Sequence, residues 1–321
     1  FNGEIYNYSE LRNELKTLGY HFHSDSDTEV LLAAWSEWNI DTMQRLIGMF
    51  AFAVFDNLQK KLTLVRDAFG IKPLFYSAHS DEFIFASEMP TMLNFNQLSP
   101  KLNEQRAFDY LVNGIQDNNF ETFVKDVNHL PPAHWLQIDL KNPSSIQIKR
   151  WWNPSLTEES SISFEQAAES LRHLFLDSIR LHLRSDVPLG VALSGGIDSS
   201  AIACSVRSLE PDIDLHTFSY ISTQANQSEE FWIDQVNNYV NAIHHKVNVK
   251  PGDLKKDIHD LIQAQGEPFC TTSMYAQYRV FSAAKDSGIK VLLEGQGGDE
   301  LLAGYHGYQG QRMRSLWEKR Q

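Results

Sequence analysis

The feature that most constrains this chain is an apolar strand that turns through two glycines into a helix. The run Val187–Leu193 leads into Ser194-Gly195-Gly196, and the apolar spacing after Ile197 predicts a helix. The free N–H groups and positive end of such a helix attract an anion, and glycines let it approach the backbone. We therefore expect an anion-binding loop at the end of a strand.

The side chains around this loop favour a nucleotide phosphate as the anion. Ser199 and Ser200 supply hydroxyl donors, and Asp198 can hold a magnesium ion that bridges phosphate oxygens. The lysine of a Walker A loop and the third glycine of a dinucleotide fingerprint are both missing. Without a ligand, the pattern would be an ordinary strand-to-helix turn.

Strands and helices alternate through the second half of the chain. Helix Phe164–Leu183 precedes the loop strand. After the loop we predict strands at His216–Tyr220, His245–Val249 and Ile289–Leu293, and helices at Glu229–Val240, Asp253–Ala264 and Met274–Ala284. Such alternation predicts a parallel sheet covered by helices, which binds ligands beyond the carboxyl ends of its strands. His244 and His245 could bind a metal, but they lie side by side before a strand and would point to opposite faces, so we expect a structural role.

A second glycine loop, residues 294–300, again joins a strand to a helix. Its Asp299 brings a second carboxylate towards the first loop, and we expect Asp198 and Asp299 to share magnesium around a triphosphate. The alternative is that Asp299 and Glu300 only favour the start of a helix through its dipole.

The first half of the chain has short strands and early helices, which predicts a layered α+β domain. We predict helices at Ser9–Leu18, Val30–Trp38 and Gln105–Ile115, strands at Tyr20–His23, Phe50–Phe55, Lys61–Val65, Leu74–Ala78, Glu82–Ala86 and Trp135–Leu140, and turns at 79–81 and 141–145.

Two polar groups stand out in this half. The amide of Asn2 beside the N–H of Gly3 can stabilise an oxyanion, and Glu4 and Asp27 can receive an ammonium group. The alternative is that Asn-Gly forms a turn and that Asp27 caps a helix.

Several segments, taken in order, resemble glutamine-dependent asparagine synthetases. The glycine loop Ser194–Ser200 resembles the pyrophosphate loop of ATP pyrophosphatases. The other matching segments are Phe1–Asn7, Ser26–Glu29, Gly48–Ala53, Arg66–Leu74, Phe85–Glu88 and Gly297–Tyr305.

The resemblance implies an α/β protein of two domains. Residues 1–155 would form an N-terminal-nucleophile glutaminase, and residues 164–321 a parallel-sheet ATP pyrophosphatase domain, with a Ser- and Glu-rich linker between them. From their position before the linker, we expect Trp151 and Trp152 to pack at the domain interface, the alternative being a binding platform. Asn2 and Gly3 would form the oxyanion hole, while Glu4 and Asp27 hold the glutamine amino group.

ATP would be bound in the second domain and used to convert aspartate to a β-aspartyl-adenylate. Ammonia from glutamine would displace AMP and give asparagine. The implied ATP-binding residues are Ala192, Leu193, Ser194, Gly195, Gly196, Asp198, Ser199, Ser200, Tyr220, Glu294 and Gly295.

Three departures from the family pattern limit these expectations. The terminal cysteine nucleophile and an arginine for the glutamine carboxylate are not in this sequence, so we expect a piece of a longer protein that does not itself hydrolyse glutamine. The family's acidic residue is replaced by Gln296, which cannot act as a base but can hydrogen-bond the adenylate. Glu267 is a nearby carboxylate by motif position, and we expect it to contribute to catalysis. Which carboxylate the protein activates therefore stays open. A β-lactam or peptide-cyclising relative and a non-catalytic nucleotide-binding chain are the alternatives.

Composition excludes several other classes of protein. The net charge of −13 and the absence of a lysine and arginine cluster argue against nucleic-acid binding. Two cysteines are too few for a disulfide framework and indicate a reducing, cytoplasmic compartment. The longest apolar run is far shorter than the ~20 residues of a membrane span. Whether the protein forms a homodimer stays an open question.

Overall fold

The computed structural model describes residues 1–78, 82–95, 100–116, 118–155, 161–222 and 228–318. It divides into two compact units, of which the first comprises Phe1–Ser161 with Ile258–Cys270 and the second comprises Ile162–Asp257 with Thr271–Gln321. No helix among the described residues is long and apolar enough to cross a membrane. The predicted turn at 79–81 and linker residues 156–160 lie outside the described residues.

The first unit is built on two antiparallel sheets. The larger has the strand order β1-β2-β3-β7-β8 and the smaller the order β5-β4-β6. Its strands are β1 (Asn2–Ile5), β2 (Gly48–Asp56), β3 (Lys61–Arg66), β4 (Phe75–Ala78), β5 (Phe83–Ala86), β6 (Asn128–His129), β7 (His134–Asp139) and β8 (Asn142–Arg150). Its helices are α1 (Tyr8–Thr17), α2 (Asp27–Trp38), a 3-10 helix (Asn39–Gln44), α3 (Met89–Leu93) and α4 (Glu104–Asn113).

The larger sheet lies between the early helices and the smaller sheet. Phe50 and Phe52 of β2 pack with Leu15 of α1 and Val30 of α2. The alternate residue Ala51 faces the other side and packs with Leu74 and Leu136 in a second cluster. This two-residue alternation gives the sheet two buried faces, which makes the unit a layered α+β domain.

Two local predictions for this unit are wrong. Residues 20–23 form no strand, because the N–H groups of His23 and Ser24 donate to the carboxylate of Glu29 instead of to a neighbouring strand. The predicted turn at 141–145 is shorter, since β8 begins at Asn142 and pairs with Asp139.

The two tryptophans contact residues of the first unit, and their packing at the domain interface stays a prediction. Trp151 stacks on Phe50 and donates from its indole Nε1 to the carbonyl of Arg66, and Trp152 contacts Phe69.

The second unit contains a parallel four-stranded sheet of order β11-β10-β9-β12. Its elements are α5 (Phe164–His182), β9 (Leu189–Ala192), α6 (Ile197–Leu209), β10 (His216–Ile221), α7 (Glu230–Val240), β11 (Ile243–Asn248), α8 (Pro251–Gln265), α9 (Ser273–Asp286), β12 (Val291–Leu293), α10 (Gly298–Leu302) and α11 (Gly307–Glu318). The residues of α8 from Ile258 onward group with the first unit. The predicted two-part α/β fold class is confirmed.

Helices cover both faces of this sheet. Ile202 of α6 and Ile233 of α7 pack with Leu293 on one face, and Val280 and Ala284 of α9 pack with Phe218 on the other. The two adjacent histidines follow this division as predicted. His244 lies 3.9 Å from the Asp234 carboxylate of α7, whereas His245 stacks on Phe218 at a ring separation of 4.5 Å.

Candidate functional site

Strand β1 places Asn2, Gly3 and Glu4 at the edge of the larger sheet, paired with β2. Gly3 has a φ of +149°, and a Cβ there would collide with the carbonyl of Met49. Because the strands approach so closely, only glycine fits at this position. Asn2 and Glu4 are exposed, so their side chains are accessible at this edge.

Asp27 is brought to the same strand by a long-range hydrogen bond. Its Oδ2 accepts the N–H of Ile5 at 3.1 Å. Ser26 caps helix α2 by accepting the N–H of Thr28, which fixes the start of the helix that carries Asp27. The structure therefore brings Asp27 beside the strand that carries Asn2, Gly3 and Glu4.

A buried carboxylate supports the strand that faces this edge. Asp67 is 1% exposed and accepts the N–H of Phe50 at 3.2 Å. It also accepts the N–H groups of Phe69, Ile71 and Lys72. Tyr6 lies close by, and its burial, with Glu4 and Asp67 acting in the same direction, raises its pKa to about 12.

An open cavity of about 530 Å³ lies in the same unit. Its walls include Phe1, Leu31, Trp35 and Phe52, with Ser26 among its polar residues. Asn2, Gly3, Glu4 and Asp27 do not line it. The cavity is thus a neighbour of the predicted glutamine site and not the site itself.

In the second unit, the first glycine loop joins β9 to α6. Gly195 has a φ of +89°, which favours glycine. The hydroxyl of Ser199 accepts the N–H of Ser194 at 3.2 Å, and the hydroxyl of Ser200 donates to the carbonyl of Gly196 at 2.7 Å. These two serines therefore brace the loop from within.

The N-terminal end of α6 has no side-chain cap. Its N-cap residue is Gly196, and no side chain accepts a cap hydrogen bond there. The N–H groups of the first helical turn have no partner inside a helix. They remain available to an anion just beyond Ala192 and Leu193, where β9 ends. The loop is therefore suited to bind a phosphate group.

The second glycine loop lies directly against Asp198 of the first. A Cβ on Gly298 would lie 2.8 Å from the Asp198 Cγ, and one on Gly295 would lie 2.9 Å from the Asp198 Cβ. Strand β12 pairs with β9 so that Leu293 lies opposite Val191. Adjacent strands therefore deliver both loops to one edge of the sheet.

The two aspartates predicted to hold magnesium follow the two glycine loops, and this role stays a prediction. Asp198 packs against Gly298, the residue before Asp299, while a Cβ on Gly304 would collide with the Asp299 carboxylate. In the parts of the chain that are described, no three His, Cys, Asp or Glu side chains form a metal-binding group. Mg²⁺ commonly uses one or two carboxylates with substrate phosphates, which agrees with two aspartates here.

Glu294 follows β12 and Tyr220 lies near the end of β10, and β9 lies between these two strands. The Glu294 carboxylate accepts the side-chain amide of Gln277 of α9 at 3.2 Å. Burial raises the pKa of Glu294, and the hydrogen bond from Gln277 partly opposes the shift. Tyr220 is 39% exposed near the end of β10.

The two remaining predicted residues lie in different places. Gln296 is exposed in the second glycine loop. Glu267 groups with the first unit, where its Oε2 lies 3.0 Å from His129 Nε2 and its Oε1 accepts the N–H of Phe123 at 3.2 Å. The catalytic roles predicted for these two residues stay predictions.

Sequence reasoning missed Gln277, which the structure joins to Glu294. A signal was present, because Gln277 occupies the same helical face as Val280, Phe281 and Ala284 of α9. A polar residue in an apolar stripe needs a buried hydrogen-bond partner. No pattern in the sequence indicated which residue that partner would be.

Comparison with known proteins matches both halves of the chain. Residues 1–152 match the glutamine amidotransferase domain family, and residues 170–321 match the asparagine synthase family.

Complete relatives match along most of the chain. Asparagine synthetase [glutamine-hydrolyzing] 3 of Bacillus subtilis is 31% identical, covering 95% of this chain and 51% of the relative. Asparagine synthetase [glutamine-hydrolyzing] 1 of the same organism is 33% identical over 96% of this chain and 48% of the relative. Amidase chyE of Penicillium rubens is 26% identical over 96% of this chain and 47% of the relative.

The chain spans about half the length of these relatives. The two families match in the same order as the two units of the fold, and the relatives extend across both. The chain therefore belongs to the family of glutamine-dependent asparagine synthetases.

Proposed function

We propose that the protein forms an amide from a carboxylate, with ATP as energy source and glutamine as nitrogen donor. The observation that carries this proposal is the meeting of two glycine loops at one sheet edge, with Asp198 packed against Gly295 and Gly298. In this proposal residues 1–155 are the glutaminase domain and residues 164–321 the ATP pyrophosphatase domain. Its substrates are glutamine, aspartate and ATP, and its location is cytoplasmic.

The second unit binds and orients ATP. The uncapped N-terminus of α6 and the glycines of both loops surround the phosphates, where fixed N–H dipoles stabilise the charge that develops as pyrophosphate leaves. Asp198 and Asp299 would hold magnesium, which neutralises phosphate charge when bound. The acceptor of the adenylyl group is the side-chain carboxylate of aspartate, which becomes a β-aspartyl-adenylate before nitrogen replaces AMP.

The first unit binds glutamine. Asn2 and Gly3 supply donors for the oxyanion of the amide under attack, and Glu4 and Asp27 receive the α-amino group. The hydrogen bond between Asp27 and Ile5 supports this arrangement, because it holds a carboxylate beside the strand that carries the other three residues.

Two variants separate the proposed activities when the protein is expressed from its complete reading frame. We expect Asp27→Asn to abolish synthesis from glutamine and to leave synthesis from added ammonium intact. We expect Asp198→Asn to abolish synthesis from either nitrogen source and to leave glutamine hydrolysis intact. The measurements are glutamate release, aspartate-dependent pyrophosphate release and asparagine formation.

Pyrophosphate release that is independent of aspartate would contradict aspartate as the acceptor. The same assay, repeated with other amino acids and carboxylates, would then identify the acceptor. ATP binding without any pyrophosphate release would contradict the enzymatic proposal and leave a nucleotide-binding protein.

A further inference from the structure

Glu294 lies on the face of the parallel sheet that α9 covers. Leu292 packs on that face with Val280 of α9, whereas Leu293 packs on the opposite face with Ile202 of α6. Because successive residues of a strand alternate between faces, Glu294 returns to the α9 face. Its hydrogen bond from Gln277 of α9 agrees with this orientation.

The same face carries two other residues of the proposed ATP site. Ala192 packs with the cluster on the α9 face, and Tyr220 follows Phe218 of that cluster by two residues. Their strands, β10, β9 and β12, are neighbours in this order. A substrate held between Tyr220 and the glycine loops would therefore lie beside Glu294.

The other two carboxylates of the second glycine loop, those of Asp299 and Glu300, differ from Glu294 in orientation or in exposure. A Cβ on Gly304 would collide with the Asp299 carboxylate, which directs that group towards residue 304. Glu300 is exposed and accepts the hydroxyl of Tyr305 at 2.9 Å. Gln296 is exposed and has no carboxylate.

Glu294 faces a neutral partner. Its hydrogen-bond donor is the Gln277 amide, and within the described ranges no lysine or arginine forms an ion pair with it. Burial is the main cause of its raised pKa, and charged neighbours make no resolved contribution in the described structure. A partly buried carboxylate without a cation is suited to accept a proton.

We propose that Glu294 is the general base of amide formation, an inference that rests on the proposed function. The lone pair of the nitrogen attacks the acyl carbon, the C–N bond forms, and the C–O bond to AMP breaks with its electron pair leaving on AMP. Glu294 removes one N–H proton from the attacking nitrogen and then releases it to water.

The test compares Glu294→Gln with the wild-type protein, each expressed from the complete reading frame. Aspartate-dependent exchange of pyrophosphate into ATP reports adenylation, and asparagine formation from added ammonium reports the later step. Because Glu294 is also one of the proposed ATP-binding residues, exchange serves as the reference rate, and we expect asparagine formation to fall by about a hundredfold more than exchange does, the usual effect of losing a general base.

Two further variants make the test specific. Glu300→Gln removes an exposed carboxylate from the same loop and is expected to leave both rates unchanged. Gln277→Leu removes the donor to Glu294, so the pKa of Glu294 rises further and the acidic limb of the asparagine-formation profile shifts to higher pH. A structural role alone would not shift that limb.

Each failure has its own pattern. Asparagine formation by Glu294→Gln at the wild-type rate would overturn the role of Glu294 as base. Loss of both exchange and asparagine formation to the same extent would overturn it as well, because Glu294 would then serve adenylation. Absence of aspartate-dependent exchange in the wild-type protein would overturn the proposed function, and this inference with it.

Discussion

In the first unit, Asp27 reaches strand β1 through a hydrogen bond to the N–H of Ile5, whereas in the second unit Asp198 is placed by the packing of two glycine loops. The antiparallel unit thus positions its candidate site with polar side chains that bind distant backbone groups. The parallel unit uses the common direction of its strands, which brings loops 194–196 and 294–297 to one edge.

The difference extends to the supporting residues. Asp67 accepts four backbone N–H groups, and the guanidinium of Arg66 donates to the carbonyls of Gly70, Lys72 and Leu130. The first loop of the second unit is braced over short range, by serines within six residues of one another. The irregular segments of the first unit are therefore held in position by hydrogen bonds to buried polar side chains. The loops at the end of the parallel sheet are held by small residues that pack closely.

The largest expected effect comes from Asp67→Ala. Removing this carboxylate leaves backbone donors such as those of Phe50 and Ile71 without an acceptor in a buried site. Each such group costs roughly 1–3 kcal/mol, so we expect the free energy of unfolding of the first unit to fall by about 3 kcal/mol or more. Urea unfolding followed by tryptophan fluorescence measures this change.

Asp56→Ala is the matched control for Asp67. Asp56 also accepts backbone N–H groups, from Leu58 and Gln59, but in an exposed turn where water replaces it. We expect a loss below about 1 kcal/mol. Equal losses for the two variants would contradict the importance assigned to burial.

The next effect tests the glycine loops. Gly298→Ala would place a Cβ 2.8 Å from the Asp198 Cγ, so the carboxylate must move away from the second loop. We expect affinity for magnesium ATP to fall by about tenfold or more, which is about 1.4 kcal/mol. Isothermal titration calorimetry measures it. The matched control is Gly310→Ala in α11, where the added Cβ would meet open space. This variant should bind ATP as the wild type does.

A smaller effect on the free energy of unfolding is expected at the start of helix α2, which has a side-chain cap that helix α6 lacks. Ser26 accepts the N–H of Thr28 at the start of α2, whereas α6 starts at Gly196 without a side-chain cap. Ser26→Ala should lower the free energy of unfolding by about 1 kcal/mol, since the cap is lost. Ser9→Ala, inside α1, should leave it unchanged or slightly higher, because alanine favours a helix. The same loss in both variants would show that Ser26 does not act as a cap.

The smallest effect is a pH dependence of the second unit. Burial, and then the neighbouring His216, lower the pKa of His245, so the folded state binds its proton less readily than the unfolded state does. Stability is therefore lost as the pH falls below the ordinary histidine value of about 6.5. His245→Phe keeps the stacking on Phe218 and should make the fall between pH 7 and pH 5 shallower. Some loss of stability at low pH should remain in this variant, because burial also lowers the pKa of His244.

Local pattern predicted much of this fold because periodicity and turn chemistry are properties of short segments. The alternation from His216 to Leu293 predicted the parallel sheet, and the glycines after Leu193 and Leu293 predicted its two loops. The strand predicted at 20–23 failed because of hydrogen bonds to a side chain five to six positions further along the chain. Glu29 accepts the N–H groups of His23 and Ser24 and the hydroxyl of Ser24, and these hydrogen bonds, that of the Ser24 hydroxyl first, lower the pKa of Glu29 to about 2.

By itself the sequence determined most of the strands and helices, where glycine loops interrupt them, and which family the motifs belong to. Only the tertiary structure decided that Asp27 binds Ile5, that Gln277 binds Glu294, and that Glu267 pairs with His129. The physical reason is that hydrophobic periodicity depends on residues a few positions apart. These hydrogen bonds join residues 17 to 138 positions apart, and each requires its two segments to have already met in space.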